Sequence, residues 1–173
     1  IWAVGKVFTD SGDYNAAHWD GTNWTLIKIP VKIYNTNSFI ISELKSIYAF
    51  DQNNIYVTTG GEVIHYDGTE WGDWTFLFND LNDTTFGGVN KFWGISSTDF
   101  YGVGNKGNIF HYNGQTWQKL DSGTDVDIND IWGYSDKHTG ENYILCPASY
   151  IYELGEKKIF SIQDNKTIIE ENW

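Results

Sequence analysis

A seven-residue pattern that returns three times at nearly constant spacing constrains this chain more than any other feature. His18-Trp19-Asp20-Gly21-Thr22-Asn23-Trp24 recurs as His65-Tyr66-Asp67-Gly68-Thr69-Glu70-Trp71 and again as His111-Tyr112-Asn113-Gly114-Gln115-Thr116-Trp117. The histidines are 47 and then 46 residues apart. A period of this length marks one small structural unit repeated in space, each copy relying on its neighbours to bury its apolar faces.

The residues around each copy say what the unit is. A first apolar segment reads Ile47-Tyr48-Ala49, then Phe92-Trp93-Gly94, then Ile131-Trp132-Gly133. A second follows at Ile55-Tyr56-Val57-Thr58 and Phe100-Tyr101-Gly102-Val103, with counterparts at Ile1-Trp2-Ala3-Val4 and Tyr143-Ile144-Leu145-Cys146. The third carries the histidine and the fourth opens on the tryptophan. These are short runs rich in β-branched and aromatic residues, bounded by Gly, Asn, Asp or Ser, which is how strands are written and not helices. Asp20-Gly21, Asp67-Gly68 and Asn113-Gly114 suit a two-residue hairpin turn with positive φ between the third strand and the fourth.

One unit is therefore expected to be an up-and-down antiparallel sheet of four strands. Ile64 and Tyr66 face one side of the third strand, Val63 and His65 the other, and neither side is fully polar. A sheet that needs cover on both faces stacks on its neighbours, and radial stacking of small sheets makes a β-propeller. The expected blades are 1–30 (lacking its first strand), 44–79, 89–121 and a divergent 128–173 in which Ser161 replaces the histidine. Propellers have about four to eight blades, so four visible ones fit best as part of a larger ring. The whole of 1–173 then reads as one propeller region of a longer chain.

The run Asp99-Phe100-Tyr101-Gly102-Val103-Gly104, continuing through Gly107-Asn108-Ile109-Phe110-His111-Tyr112-Asn113-Gly114 to Trp117, resembles a repeat of bacterial exported propellers in the broad WD-repeat/YVTN/BNR-like group. The resemblance spans nearly the whole chain and implies an extracytoplasmic protein: secreted, periplasmic or lipid-anchored. It implies no particular activity. The Ser-x-Asp-x-Gly-x-x-Trp box of sialidase-like members is not reproduced at Ser97-Thr98-Asp99 or at Ser11-Gly12-Asp13.

Charge removes other functions. All eleven basic residues are lysines, and 23 acidic residues leave a net charge of −12. An acidic surface without a single guanidinium repels phosphate backbones and lacks the fork that reads guanine, so no nucleic-acid partner is expected. A sialidase site, which needs an arginine cluster, is excluded for the same reason. No run approaches the roughly 20 apolar residues of a membrane-spanning helix. The single cysteine, Cys146, permits no internal disulfide and reads as a buried, inert strand residue.

Several tempting constellations have plainer readings. His18, His65 and His111 occupy equivalent places in different units, too far apart to converge on a metal, and read as packed or turn-bonding residues. Trp24, Trp71 and Trp117 read as packing over the hairpin and onto the next blade, Trp93 and Trp132 as core. Asp125, Asp127, Asn129 and Asp136 only loosely resemble a calcium loop, because Asp130 stands where glycine is needed. With no nucleophile elbow, zincin helix or phosphate loop, the chain is expected to be no enzyme and to carry no cofactor or metal.

Function is expected on one end of the sheets. Strands alternate in direction, so the connections predicted at 6–14, 30–43, 78–88, 121–127 and 148–157 emerge together, while the opposite end has short turns apart from 135–141. The long connections carry Phe8, Asp10, Asp13, Tyr14, Tyr34, Asn35, Asn37, Phe86, Tyr150 and Tyr152. Aromatic rings interleaved with amides and carboxylates suit a protein or glycan partner. A non-catalytic interaction module is the leading expectation, a lectin-like propeller the second, and a piece of a glycan-active enzyme the third.

Overall fold

The structure, a computed structural model, describes residues 1–78, 87–150 and 156–172 and divides into two compact units, Ile1–Asn79 and Asp80–Trp173. No helix occurs among the described residues. The first unit opens with β1 (Trp2–Thr9), β2 (Gly12–Trp19) and β3 (Trp24–Ile27), an antiparallel sheet in chain order. A short hairpin of β4 (Val31–Lys32) and β5 (Phe39–Ile40) follows. Then come β6 (Ser46–Asp51), β7 (Asn54–Thr58), β8 (Glu62–Tyr66) and β9 (Trp71–Phe76), again antiparallel in chain order.

The second unit holds two such four-stranded sheets. One is β10 (Gly87–Ser96), β11 (Asp99–Asn105), β12 (Ile109–Tyr112) and β13 (Trp117–Leu120). The other is β14 (Trp132–Ser135), β15 (Asn142–Ser149), β16 (Lys157–Gln163) and β17 (Lys166–Asn172). The fold is all-β, built from small up-and-down antiparallel sheets, as the segment pattern predicts.

Cross-strand partners fall at matching places in every sheet. The ladders run Trp2–His18–Thr25, Tyr48–Tyr56–His65–Gly72, Trp93–Tyr101–His111–Gln118 and Trp132–Leu145–Ser161–Ile168. Each histidine lies against the aromatic residue opposite it: ring centroids are 4.4 Å apart for Trp2–His18, 4.4 Å for Tyr56–His65 and 4.5 Å for Tyr101–His111. Such pairs across neighbouring strands are a main source of sheet stability.

Three expectations need correction. The last two strands of each of the first three sheets join by four residues, not two, since Trp19 pairs Trp24, Tyr66 pairs Trp71 and Tyr112 pairs Trp117. The cause is the side chain that opens the turn. Asp20 Oδ1 accepts from the backbone N–H of Thr22 and Asn23, Asp67 and Asn113 do the same for their turns, and only the glycine takes positive φ. These backbone donors hold the Asp67 carboxyl down at about 2. The two-residue turn occurs in the fourth sheet instead, at Asp164–Asn165, both with positive φ.

The second correction concerns residues 6–14. They form no loop, because β1 and β2 run on as paired strands to Thr9 and from Gly12. The third concerns the tryptophans. Trp71 packs on Tyr66 across its hairpin (5.2 Å) and edge-on against Trp2 (5.8 Å), so it leans on the preceding sheet. Trp93 is 9% exposed, as a core residue should be, but its ladder equivalent Trp132 is 62% exposed. On the same face of the fourth sheet Leu145 and Ile168 are exposed as well.

The cores are local to each unit. Ala16, Ile29, Val31, Leu44, Val57 and Ile64 form the buried cluster of the first. In the second, Phe92, Phe100, Tyr112 and Trp117 make a ring of tilted and edge-on contacts, while the Trp93 indole covers Gly133 of β14. A Cβ at position 133 would sit 2.9 Å from that indole and 2.5 Å from the Tyr143 carbonyl oxygen. Gly133→Ala should therefore cost about 2 kcal/mol by overpacking. An unfolding free energy from urea within about 0.5 kcal/mol of the parent's would show that the third and fourth sheets do not meet this closely in solution.

Candidate functional site

The candidate residues do not form one site. Phe8 pairs with Asp13 and Val7 with Tyr14 along the β1–β2 hairpin, so Phe8 and Tyr14 stand on opposite faces of it. Each ring carries a lysine instead, Lys6 over Phe8 (4.7 Å) and Lys28 over Tyr14 (4.8 Å). Asp10 is exposed at the hairpin tip. Tyr34 is half-buried against Phe76 and Phe78, both at 5.0 Å, and Asn35 and Asn37 are exposed beside it at the tip of β4–β5. Tyr150 donates its hydroxyl to Asp125 Oδ1 at 3.3 Å. Phe86 and Tyr152 lie outside the described residues.

The loosely calcium-like run is used by the backbone. Asp127 Oδ1 accepts from the N–H of Lys106 (2.9 Å), Asn129 donates to the carbonyl of Ser149 (2.9 Å), and Asp130 caps the N–H of Ile131 (2.9 Å). Among the described residues, no group of three acidic, histidine or cysteine side chains is placed to hold a metal. Cys146 is buried, and desolvation pushes its thiol up to about 12.

Sequence reasoning passed over a polar position three residues before each histidine or its replacement: Asn15, Glu62, Asn108 and Lys158. All four are buried. Asn15 donates to the carbonyls of Ile29 (2.8 Å) and Ser42 (2.9 Å) and accepts from the N–H of Ile29 (2.8 Å). Glu62 Oε1 accepts from the N–H of Lys32 on β4 (3.2 Å). Asn108 donates to the carbonyl of Gly88 (3.1 Å), and Lys158 reaches Thr124 Oγ1 (3.1 Å) and Glu156 (2.8 Å). In each sheet the strand that carries the histidine or Ser161, or the residue leading into it, thus reaches out with a polar side chain to hold chain outside its own hairpins. The signal was present, since a polar residue inside an apolar strand is costly unless it is bonded.

A concavity lies in the second unit, at the short-turn end. A cleft of about 680 Å³ lies between the third and fourth sheets, walled by the turns at Thr98, Asn113 and Asp164–Asn165 and by the 136–141 connection. At its base Tyr101 stacks on His111, whose Nε2 is 2.8 Å from Asp99 Oδ1, and the Tyr101 hydroxyl donates to Asn165 Oδ1 at 2.8 Å. Burial, with Asp99 and Asp164 nearby, pushes the Tyr101 phenol up to about 12, so it remains a neutral donor. Tyr143 donates to Glu141 Oε2 (2.8 Å), which raises the Tyr143 phenol too, and its ring stacks on Tyr134 at 5.0 Å and 15° on the face of the fourth sheet that carries Trp132, away from the third sheet.

None of the eight candidates among the described residues lines this cleft. Its residues come from four turns far apart in the chain, each an ordinary turn when read alone; the one visible hint is the unusual length of the 136–141 connection. Comparison of the chain with family models, with curated proteins and with solved structures finds no match.

Proposed function

We propose that these sheets are blades of a β-propeller, completed by further sheets into a larger ring, and that the protein is an exported bacterial module that binds a protein partner without catalysis. The ladder equivalence supports the ring. The Trp93–Tyr101–His111 face of the third sheet is buried under the fourth, and the matching Trp132–Leu145–Ile168 face of the fourth presents exposed apolar side chains of the kind another sheet would cover.

One observation carries the binding role. The β4–β5 hairpin is more than a connection: Phe39 packs on Trp74 (4.9 Å), the Trp74 indole N–H donates to the Pro30 carbonyl (3.0 Å), and Tyr34 packs on Phe76 and Phe78. So held, it exposes Ile33, Phe39 and Ile40 around Asn35 and Asn37. An ordered projection with apolar side chains and an amide rim has the make-up of a protein-binding patch.

The test is crosslinking of the whole protein in its native envelope, with identification of what is captured at stoichiometric yield. An Ile33→Ser, Ile40→Ser double variant should lose that partner by at least about tenfold, with an unchanged melting temperature. Undiminished capture by the variant would remove the hairpin from the interface. Turnover of a chromogenic glycoside panel by the whole protein would replace this reading with that of a glycan-active enzyme.

A further inference from the structure

We infer that the free edge of β1 is a strand-acceptor site, and that it takes an antiparallel strand of this same repeat with a large aromatic side chain opposite Trp2. Two contacts identify β1 with β11. The Gly5 carbonyl accepts from the N–H of Leu44 (3.2 Å) as the Gly104 carbonyl does from that of Ile128 (3.0 Å), and Trp2 lies against His18 as Tyr101 lies against His111. The counterparts β7, β11 and β15 each sit inside their sheet, whereas β1 is paired on one side only among the described residues. Ile1 and Trp19 exchange hydrogen bonds at 2.7 and 3.0 Å. The N–H and C=O of Trp2 and, two residues on, of Val4 therefore point away from β2. An apolar strand edge of this kind is a template for a further strand.

The surroundings of that edge fit one kind of strand. In the third sheet β10 runs so close to β11 that a Cβ at Gly104 would lie 2.0 Å from the Gly88 carbonyl oxygen, while a Cβ at Gly5 would meet nothing within 4 Å. Glycine at position 5 leaves room for an equally close backbone. The neighbouring sheet is shaped to match. The Trp93 indole covers Gly133, which is buried, but the equivalent Ala49 of the second sheet is exposed. Ile47 is likewise half-buried where its equivalent Ile131 is 3% exposed. A pocket of about 480 Å³ lies there, lined by Trp2, His18, Ile47, Ala49 and Ile55. Cross-strand partners share a face, so a side chain opposite Trp2 would enter this pocket, as Trp93 opposite Tyr101 reaches Gly133. The site is apart from the β4–β5 hairpin surface, and it stands on the equivalence of the sheets whether or not they close into a ring.

The probe is a synthetic peptide with the sequence of β10, Gly87–Ser96, titrated into the full 173-residue chain and followed by calorimetry and amide hydrogen exchange. Saturable binding with a dissociation constant below about 1 mM is expected, and exchange at the Trp2 and Val4 amides should slow by about tenfold or more. Trp93→Ser in the peptide should weaken binding by about tenfold or more. Ala49→Leu in the chain should do the same by filling the pocket from an exposed position, while Tyr14→Ala changes nothing. Far-UV circular dichroism checks that the chain variants fold, and the peptide variant decides the matter even if Ala49→Leu does not. The inference is overturned if the peptide fails to saturate at millimolar concentration, or if the slowed amides lie on another edge such as β3 or β9. It is equally overturned if the Trp93→Ser peptide or a scrambled one binds as tightly as the parent peptide, since the edge would then take any extended partner.

Discussion

Asn15→Leu is expected to cost the chain about 4 kcal/mol, from a side chain with the same number of heavy atoms. The amide of Asn15 has no exposure and makes three hydrogen bonds, two to the N–H and C=O of Ile29 and one to the C=O of Ser42. Leucine fills the space but answers none of them. Three main-chain groups then stay dry and unpaired, at about 1–3 kcal/mol each before relaxation. Ile29 is in the buried cluster of the first unit, so relaxing toward water would open that cluster. Asn15→Asp is the informative companion: it keeps the acceptor for the Ile29 N–H but turns a second oxygen toward two carbonyls, and it should cost about as much. Urea unfolding of the parent and both variants reads the effect. A loss under about 1 kcal/mol for Asn15→Leu would mean that chain outside the sheet, not this clasp, secures Ile29.

That position also shows what the sequence could and could not disclose. Strand alternation and the His-x-(Asp/Asn)-Gly pattern act over a few residues, so the four sheets, the three strands of the first and the alignment of Ser161 with the histidines were all legible. The turns were misread for a local reason: Asp-Gly suits a two-residue turn, but an Asp or Asn oxygen that takes two backbone N–H groups is equally satisfied in a four-residue one. The β4–β5 hairpin escaped because its strands are two residues each and its order comes from Phe39 on Trp74 and Tyr34 on Phe76, contacts between segments 35 or more residues apart. The cleft escaped for the same kind of reason. Asn165 becomes a partner for Tyr101 only because the fourth sheet uses the tighter turn, and no local pattern predicts a contact 64 residues away.

Glu62 is where a buried clasp should become visible in solution as pH dependence. Its carboxyl is 2% exposed, Oε1 takes the N–H of Lys32, and Oε2 has no hydrogen-bond partner among the described residues. Desolvation outweighs both the Lys32 N–H and its distant charge, raising the carboxyl from 4.5 to about 7. An acid whose folded value lies above its unfolded one binds its proton more readily when folded. Its contribution to stability is therefore greatest at low pH and is lost as pH rises through 7. Between pH 5.5 and 8 that loss should be about 2 kcal/mol. Glu62→Gln carries no charge to desolvate, so the difference between variant and parent isolates this group from the histidines and from the general repulsion of an acidic chain. The variant should match the parent near pH 5.5 and exceed it by about 2 kcal/mol at pH 8. Because Glu62 holds β4, amide exchange at Lys32 should quicken with pH beyond its intrinsic rate in the parent and not in the variant. Parallel stability profiles for the two proteins would mean that Glu62 is charged and solvated in the folded state, and that the β4–β5 hairpin does not bury it.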